Sequence, residues 1–156
     1  MRDHVLLLHV ATGTAALLTG PLWLVVRLLG RLGDALAWAY QLAVAPVAGS
    51  GAILAVTAPG LAWLLPVAAL TGGLAQAGAL VHRRGHPHWR TLQPHLLGGS
   101  YIALVTGVLV ASTGNPVWWV LPALVGQVPI AAAKRRLHRG DAGTAVAGRR
   151  DGAVAG

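Results

Sequence analysis

Histidines are the residues of this sequence best suited to chemistry, and four of the seven lie within fourteen residues, HRRGHPHWRTLQPH. These four are His82, His86, His88 and His95. Imidazoles without thiolates or carboxylates suit copper, zinc or haem iron, and His82 and His95 could be the axial ligands of one haem. Their spacing, however, matches none of the established ligand signatures. We favour the simpler interpretation, a basic loop at a membrane surface that also contains Arg90.

His9 is the one ionisable residue well inside an apolar stretch, five residues beyond His4. An ionisable side chain at membrane depth is a functional hypothesis by default. His9 could bind a ligand or act as a general base, or it could be a neutral imidazole bonded to a neighbouring helix. Ser100 and Tyr101 are polar residues within a later apolar stretch that could support such a site. His9 and the loop histidines are predicted near opposite membrane faces, so we do not expect them to share one centre.

Composition excludes several kinds of site. The sequence has no cysteine and no glutamate, and none of its four aspartates lies inside an apolar stretch. Disulfides, thiolate metal sites and carboxylate proton relays at membrane depth are therefore excluded. The formal net charge is +8, but the basic residues lie between or after apolar stretches and form no basic helix face. We therefore expect no nucleic-acid partner.

The elements that position these residues are predicted to be membrane helices, since 55% of residues are apolar and only 10% are charged. A span needs roughly 20 mostly apolar residues, and five stretches qualify. They are His4–Arg27, Ala35–Thr57, Leu61–His82, Pro94–Thr113 and Val117–Ala133. We predict an all-α integral membrane bundle of five transmembrane helices over residues 1–134. A basic, disordered cytoplasmic tail is predicted over residues 135–156.

Charges in the connectors predict an orientation. The first and third connectors carry +1 and +3, the residues from Lys134 onward carry +4, and the two short connectors and the N-terminus are neutral. With five spans, the first connector, the third connector and the residues after the fifth span lie on the same side of the membrane, so every excess positive charge falls on that side. The positive-inside rule then places the N-terminus outside and the tail in the cytoplasm, in a multi-pass protein of the inner cell membrane.

Two segments resemble a known family. LHVATGTAALLTG (Leu8–Gly20) and HPHWRTLQPHLLGGSYIAL, which continues to Ile130, are similar to an uncharacterised family of small bacterial membrane proteins, the DUF2306 group. The resemblance covers most of residues 5–130, with GGSYIAL its most specific part. The first loop departs from the family, because it lacks the histidine that members often carry there. The resemblance implies a compact helical bundle without an established activity. It highlights these residues: His9, Gly13, Gly20, His88, Arg90, His95, Gly98, Gly99, Ser100 and Tyr101.

Three functions follow from these observations. The most specific is a membrane protein that uses imidazoles to bind haem, copper, zinc or another ligand. The second is a non-catalytic carrier or an accessory subunit of a membrane complex, for which partners are the lipid bilayer and a second copy or another subunit. The third is an embedded enzyme acting on an apolar substrate, with His9 or His95 as general base; this one requires an apolar cavity that reaches the imidazole. The sequence leaves open whether the protein is an enzyme.

Overall fold

Four long helices form the structure, a computed structural model that describes residues 2–29, 34–58 and 60–128, together with 131 and 135. The helices are α1 (Arg2–Leu28), α2 (Asp34–Thr57), α3 (Leu64–Arg83) and α4 (Trp89–Thr113). No strand occurs in the part of the chain described. All four are long and apolar enough to cross a membrane. Helices of this kind are what a bilayer requires, because hydrocarbon offers no partner to a backbone N–H or C=O outside the helix.

The fifth predicted span is present only as a shorter apolar segment. A 3-10 turn, Pro116–Trp119, follows α4. It leads into an apolar helix, and we call Val117–Val128 the C-terminal segment. That length is short of the roughly 20 residues a span needs. Most of the remaining predicted residues, 129–133, lie outside the described part of the chain, as does the predicted tail apart from Arg135.

The start of α4 differs from the prediction. We expected the span to begin at Pro94, with proline in the first turn, but α4 begins at Trp89 and Pro94 lies inside it. Pro94 lies early in the helix, where it removes one i→i−4 hydrogen bond without ending α4, which therefore takes in half of the histidine-rich segment. Downstream, α4 ends at Gly114, whose φ of 64° is left-handed and whose N–H donates to the Val110 carbonyl at 2.9 Å. Glycine adopts that conformation without a Cβ penalty.

The helices pack as an antiparallel ring in chain order. The packing of α1 on α2 and of α3 on α4 is extensive, that of α2 on α3 is intermediate, and α1 meets α4 along a much thinner seam. The centre is made of small and aliphatic side chains around Tyr40, which is 2% exposed. By contrast, α1 exposes a row of large apolar side chains that includes Leu7, Leu18 and Val25, as expected of a surface in lipid.

Glycines set the close approach of the helices. A Cβ at Gly13 would lie 3.3 Å from Val47, and one at Gly99 would lie 3.2 Å from Leu74. A Cβ at Gly20 would overlap the ring of Tyr101. These glycines, which the family pattern highlights, therefore lie at helix contacts, as small residues do in membrane bundles.

Candidate functional site: a His9 cavity and a basic end

His9 is held against α2 through a single ring nitrogen. Its Nδ1 lies 3.1 Å from the Val47 carbonyl oxygen and 3.0 Å from Ser50 Oγ. The Ser50 hydroxyl donates its own proton to the Pro46 carbonyl oxygen, at 2.6 Å. Both neighbours of Nδ1 can therefore accept, so Nδ1 carries a proton and donates. In the neutral imidazole this leaves Nε2 as an acceptor.

Two glycines allow His9 to reach α2. Gly13, one turn further along α1, brings the two helices together. Gly51 leaves room for the ring itself, because a Cβ there would lie 3.2 Å from His9 Cε1. The position of His9 thus depends on the absence of side chains at two points on neighbouring helices.

His9 also lines a cavity of about 510 Å³ between the helices. The walls are mainly apolar: Leu6, Val47, Leu54, Leu64, Val67, Leu104 and Val108 are among them. Thr71 lies at its inner part, while Arg2 and Ser112 belong to the helix ends on one side of the bundle. The volume is in the range of small-molecule sites, roughly 300–1,000 Å³. We call this space the His9 cavity.

The loop histidines are dispersed among different partners. The His82 ring meets Trp89 edge-on with centroids 4.7 Å apart, and its Nε2 lies 4.0 Å from Asp34 Oδ1. His95 is exposed, and its Nδ1 bonds to the Thr91 carbonyl of its own helix at 2.9 Å. Among the described residues, no hydrogen bond or ring contact joins His82 to His95. Two axial ligands of a haem would not contact each other, so the use of His82 and His95 as haem ligands stays a prediction.

His86 and His88 lie next to each other in the exposed loop. Their ring centroids are 5.9 Å apart, and the His88 backbone N–H donates to His86 Nδ1 at 3.2 Å. That bond makes Nδ1 of His86 an acceptor, so in the neutral imidazole the ring proton lies on Nε2. Across the described residues, no three metal-ligating side chains of the His, Cys, Asp or Glu types come together. Arg90 belongs to α4, and its side chain lies outside the described part.

Two cation–π pairs lie at the end of the bundle that carries the histidine-rich loop, which we call the basic end. The Arg27 guanidinium carbon lies 5.3 Å from the centroid of Trp89, and that of Arg83 lies 4.3 Å from Trp38. Arg27 is 9% exposed, so its charge is held within the protein and not in open solvent. Trp89 thus contacts both His82 and Arg27, which agrees with an anchoring loop.

Sequence reasoning missed two glutamines beside this basic end as members of a site. Gln41 and Gln93 are 8% and 2% exposed, and with His82 they line a space of about 20 Å³. Gln41 donates through Nε2 to the Ala75 carbonyl. For Gln41 the available signal was its place inside an apolar span, since an amide in lipid needs a protein partner; Gln93 precedes the predicted fourth span and gave no such signal.

Ser100 and Tyr101, predicted as supporting residues, lie in α4 at two different contacts. Ser100 is fully buried and donates to the Thr71 carbonyl at 2.7 Å, and its Oγ lies 3.0 Å from the Tyr40 hydroxyl. The Tyr101 hydroxyl donates to the Leu17 carbonyl at 3.2 Å. Neither is hydrogen-bonded to His9, so both connect helices instead of completing an imidazole site.

His9 and His82 approach α2 at two well-separated positions. His9 contacts Val47 and Ser50, whereas His82 approaches Asp34 at the first residue of the helix. Asp34 and Val47 are thirteen residues apart, or roughly 20 Å along a helix. The structure therefore keeps the two groups of imidazoles apart, as the sequence predicted.

Comparison with known proteins adds no relative to this picture. No family model, no curated protein and no solved structure matches the chain. The resemblance to the uncharacterised bacterial family thus stays a prediction from the sequence.

Proposed function

We propose that this protein is a membrane-embedded binding protein for a small apolar molecule that carries one hydrogen-bond donor. The observation that carries the proposal is the position of His9, fixed to α2 through Nδ1 at the wall of a cavity of about 510 Å³. Nε2 is then the ring nitrogen left for a ligand. A hydroxyl or amine on an otherwise apolar molecule is the group that an imidazole acceptor selects.

The lining supports binding in preference to acid–base catalysis. Among the described residues that line the cavity, Arg2 is the ionisable one other than His9. Arg2 is exposed at the end of its helix. An acid–base mechanism needs a second group within hydrogen-bond reach of the reacting atoms. The threonine and serine of the lining, Thr71 and Ser112, offer hydroxyls but no general acid. His95, the other candidate base, lies outside this cavity.

A haem or metal on the loop is not part of this proposal. His82, His86 and His95 have separate partners, and a shared centre would require each of them to change partner. The basic loop instead supports the proposed orientation, with its arginines on the cytoplasmic side of an inner cell membrane.

The test compares two probes that differ by one hydroxyl group, dodecanol and dodecane, at equal mole fraction in nanodiscs that hold the protein. A ligand that binds the folded state raises the unfolding temperature according to its affinity. One neutral hydrogen bond is worth about 1 kcal/mol, so we expect dodecanol to bind about fivefold more tightly.

Three variants locate the effect. His9→Phe keeps a ring but removes the acceptor, and we expect the preference for dodecanol to disappear. Gly51→Ala displaces the imidazole and should reduce the preference. His4→Phe, at an exposed histidine of the same helix, is the matched control and should leave it unchanged. Equal binding of the two probes to the wild type, or a preference that survives in His9→Phe, would refute the proposal.

A further inference from the structure

One face of α1 contributes two different functional groups to the His9 cavity. Arg2, Leu6 and His9 all line this cavity, and their spacing of four and then three residues places them on the same side of the helix. Arg2 is the first residue of α1 and lies two turns, roughly 10 Å along the axis, before His9. The cavity therefore has a cationic residue toward the end of the bundle and an imidazole further in.

Arg2 is accessible to a bound molecule. It is exposed, and its side chain takes part in no hydrogen bond or ion pair with the other described residues. Asp3, the acidic residue of the same turn, is not among the residues that line the cavity, and the described lining contains no carboxylate. A charged group on a ligand can thus approach the Arg2 guanidinium group without displacing a protein partner.

An anion is the partner that this arrangement favours. A guanidinium group pairs with a carboxylate or a phosphate through two parallel N–H···O bonds. Arg2 also begins α1, and negative charge is stabilised near the N-terminus of a helix. The rest of the lining is mainly apolar, which suits a hydrocarbon chain. The lining is therefore complementary to a molecule with a charged head group and an apolar body.

We propose that the ligand of the His9 cavity is a single-chain amphiphile with an anionic head group. The head group pairs with Arg2, the chain occupies the apolar part, and a hydroxyl or amine on the chain donates to His9 Nε2. This inference rests on the proposed function, because it adds a charged group to the ligand of the same cavity. A volume of about 510 Å³ is in the range of small-molecule sites, which favours one free chain over a two-chain bilayer lipid.

The experiment uses two probes that differ in the charge at one end, 10-hydroxydecanoate and its methyl ester. The protein is held in phosphatidylcholine nanodiscs at about pH 9, where the carboxyl group is ionised. The rise in unfolding temperature with probe concentration gives the affinity of each probe. The two probes partition differently into lipid, but each partitions equally whichever variant is present. The ratio of acid to ester affinity is therefore compared between variants.

Variants assign the preference for the anion to Arg2. In Arg2→Gln the ratio of acid to ester affinity should fall about fivefold from the wild-type ratio, which corresponds to about 1 kcal/mol. Arg2→Lys keeps the charge and should retain most of the ratio. Arg84→Gln is the matched control, an exposed arginine at the opposite end of the bundle, and should leave the ratio unchanged. Equal ratios in Arg2→Gln and Arg84→Gln would overturn the inference.

Two further measurements locate the chain. Ala68→Trp places a large ring at the cavity wall and should weaken the binding of both probes. If both bound Ala68→Trp as tightly as the wild type, the anion would pair with Arg2 outside the cavity, contrary to the inference. Replacing part of the phosphatidylcholine by phosphatidylglycerol supplies an anionic two-chain lipid. The uncharged ester should keep its affinity there, whereas its displacement would show that a bilayer lipid is the occupant and would overturn the assignment to a single chain.

His9→Phe separates this inference from the proposed function. It removes the acceptor for the hydroxyl group, which both probes carry, so acid and ester should weaken by the same factor and their ratio should stay unchanged. A hydroxyl preference that depends on His9, together with a ratio that does not depend on Arg2, would overturn the inference alone. A ratio that depends on Arg2 without any hydroxyl preference would instead refute the role of His9.

Discussion

Ser100→Ala is expected to destabilise the bundle through a buried tyrosine. The single hydroxyl proton of Ser100 is donated to the Thr71 carbonyl, so the Tyr40 hydroxyl must be the donor in its contact with Ser100 Oγ. Tyr40 is 2% exposed and Ser100 is 0% exposed. Removing the serine oxygen therefore leaves the phenol proton in the core without an acceptor, where water does not replace it.

The expected loss of stability depends on the burial of the Tyr40 hydroxyl and on whether water or lipid surrounds the helices. An orphaned buried donor costs roughly 1–3 kcal/mol in soluble proteins. Hydrogen bonds between membrane helices average about 0.6 kcal/mol, with a maximum of about 1.7. Ser100 connects α4 to both α2 and α3, so we expect Ser100→Ala to lower the free energy of unfolding by about 1.5 kcal/mol. Tyr40→Phe removes a donor and leaves Ser100 bonded to Thr71, which should cost about 0.5 kcal/mol.

The double variant isolates the orphaned proton. Tyr40→Phe in the Ser100→Ala background removes that proton, so the double variant should lose less than the sum of the single variants, by about 0.5–1 kcal/mol. Steric trapping in bicelles measures the free energy of unfolding without denaturant. Ser112→Ala is the control on the same helix, because its hydroxyl is exposed and donates only to carbonyls of α4. Additive losses, or a Ser100→Ala variant as stable as Ser112→Ala, would refute this assignment of the hydrogen bonds.

Two further predictions concern packing and topology. Gly20→Ala should lower the free energy of unfolding by about 1–3 kcal/mol, since its methyl group would overlap the Tyr101 ring. Gly49→Ala, with nothing within 4 Å of the added carbon, should leave stability unchanged or slightly raised; equal effects of the two changes would contradict this account of the α1–α4 contact. A fluorescent protein fused after residue 156 should fold and fluoresce in the cytoplasm while an N-terminal tag is labelled from outside, because the five spans predicted from the sequence place the ends on opposite sides. Labelling of both ends from the same side would instead show four spans and would overturn the predicted orientation.

The sequence alone was sufficient to predict the helices. Each of the four long helices coincides with an apolar stretch, as expected of a membrane protein, in which a backbone in hydrocarbon must satisfy its hydrogen bonds within its own helix. The main error at a boundary, at the start of α4, arose because Pro94 interrupts the pattern without ending the helix. The fifth predicted span is the exception. Its apolar stretch continues to Ala133, but the apolar helix described there covers only Val117–Val128.

Which polar side chains meet was decided by the tertiary structure. The four loop histidines are neighbours in sequence, yet among the described residues only His86 and His88 contact each other, whereas His9 bonds to residues 38 and 41 positions away. Sequence reasoning could mark His9 as unusual, because an imidazole within an apolar stretch is rare. It could not show that the ring faces Val47 and Ser50, since that contact depends on Gly13 and Gly51 on two different helices.

The cavities, like the contacts of His9, depend on residues that are distant from one another in the sequence. The His9 cavity and a second cavity, of about 240 Å³ between α1, α4 and the C-terminal segment, are the spaces left where large and small side chains of three or more helices fail to fill the gap between them. Helix formation is local, so hydropathy along the chain determines it. The shape of the spaces between helices is not local, and only the packed bundle determines where a ligand could bind.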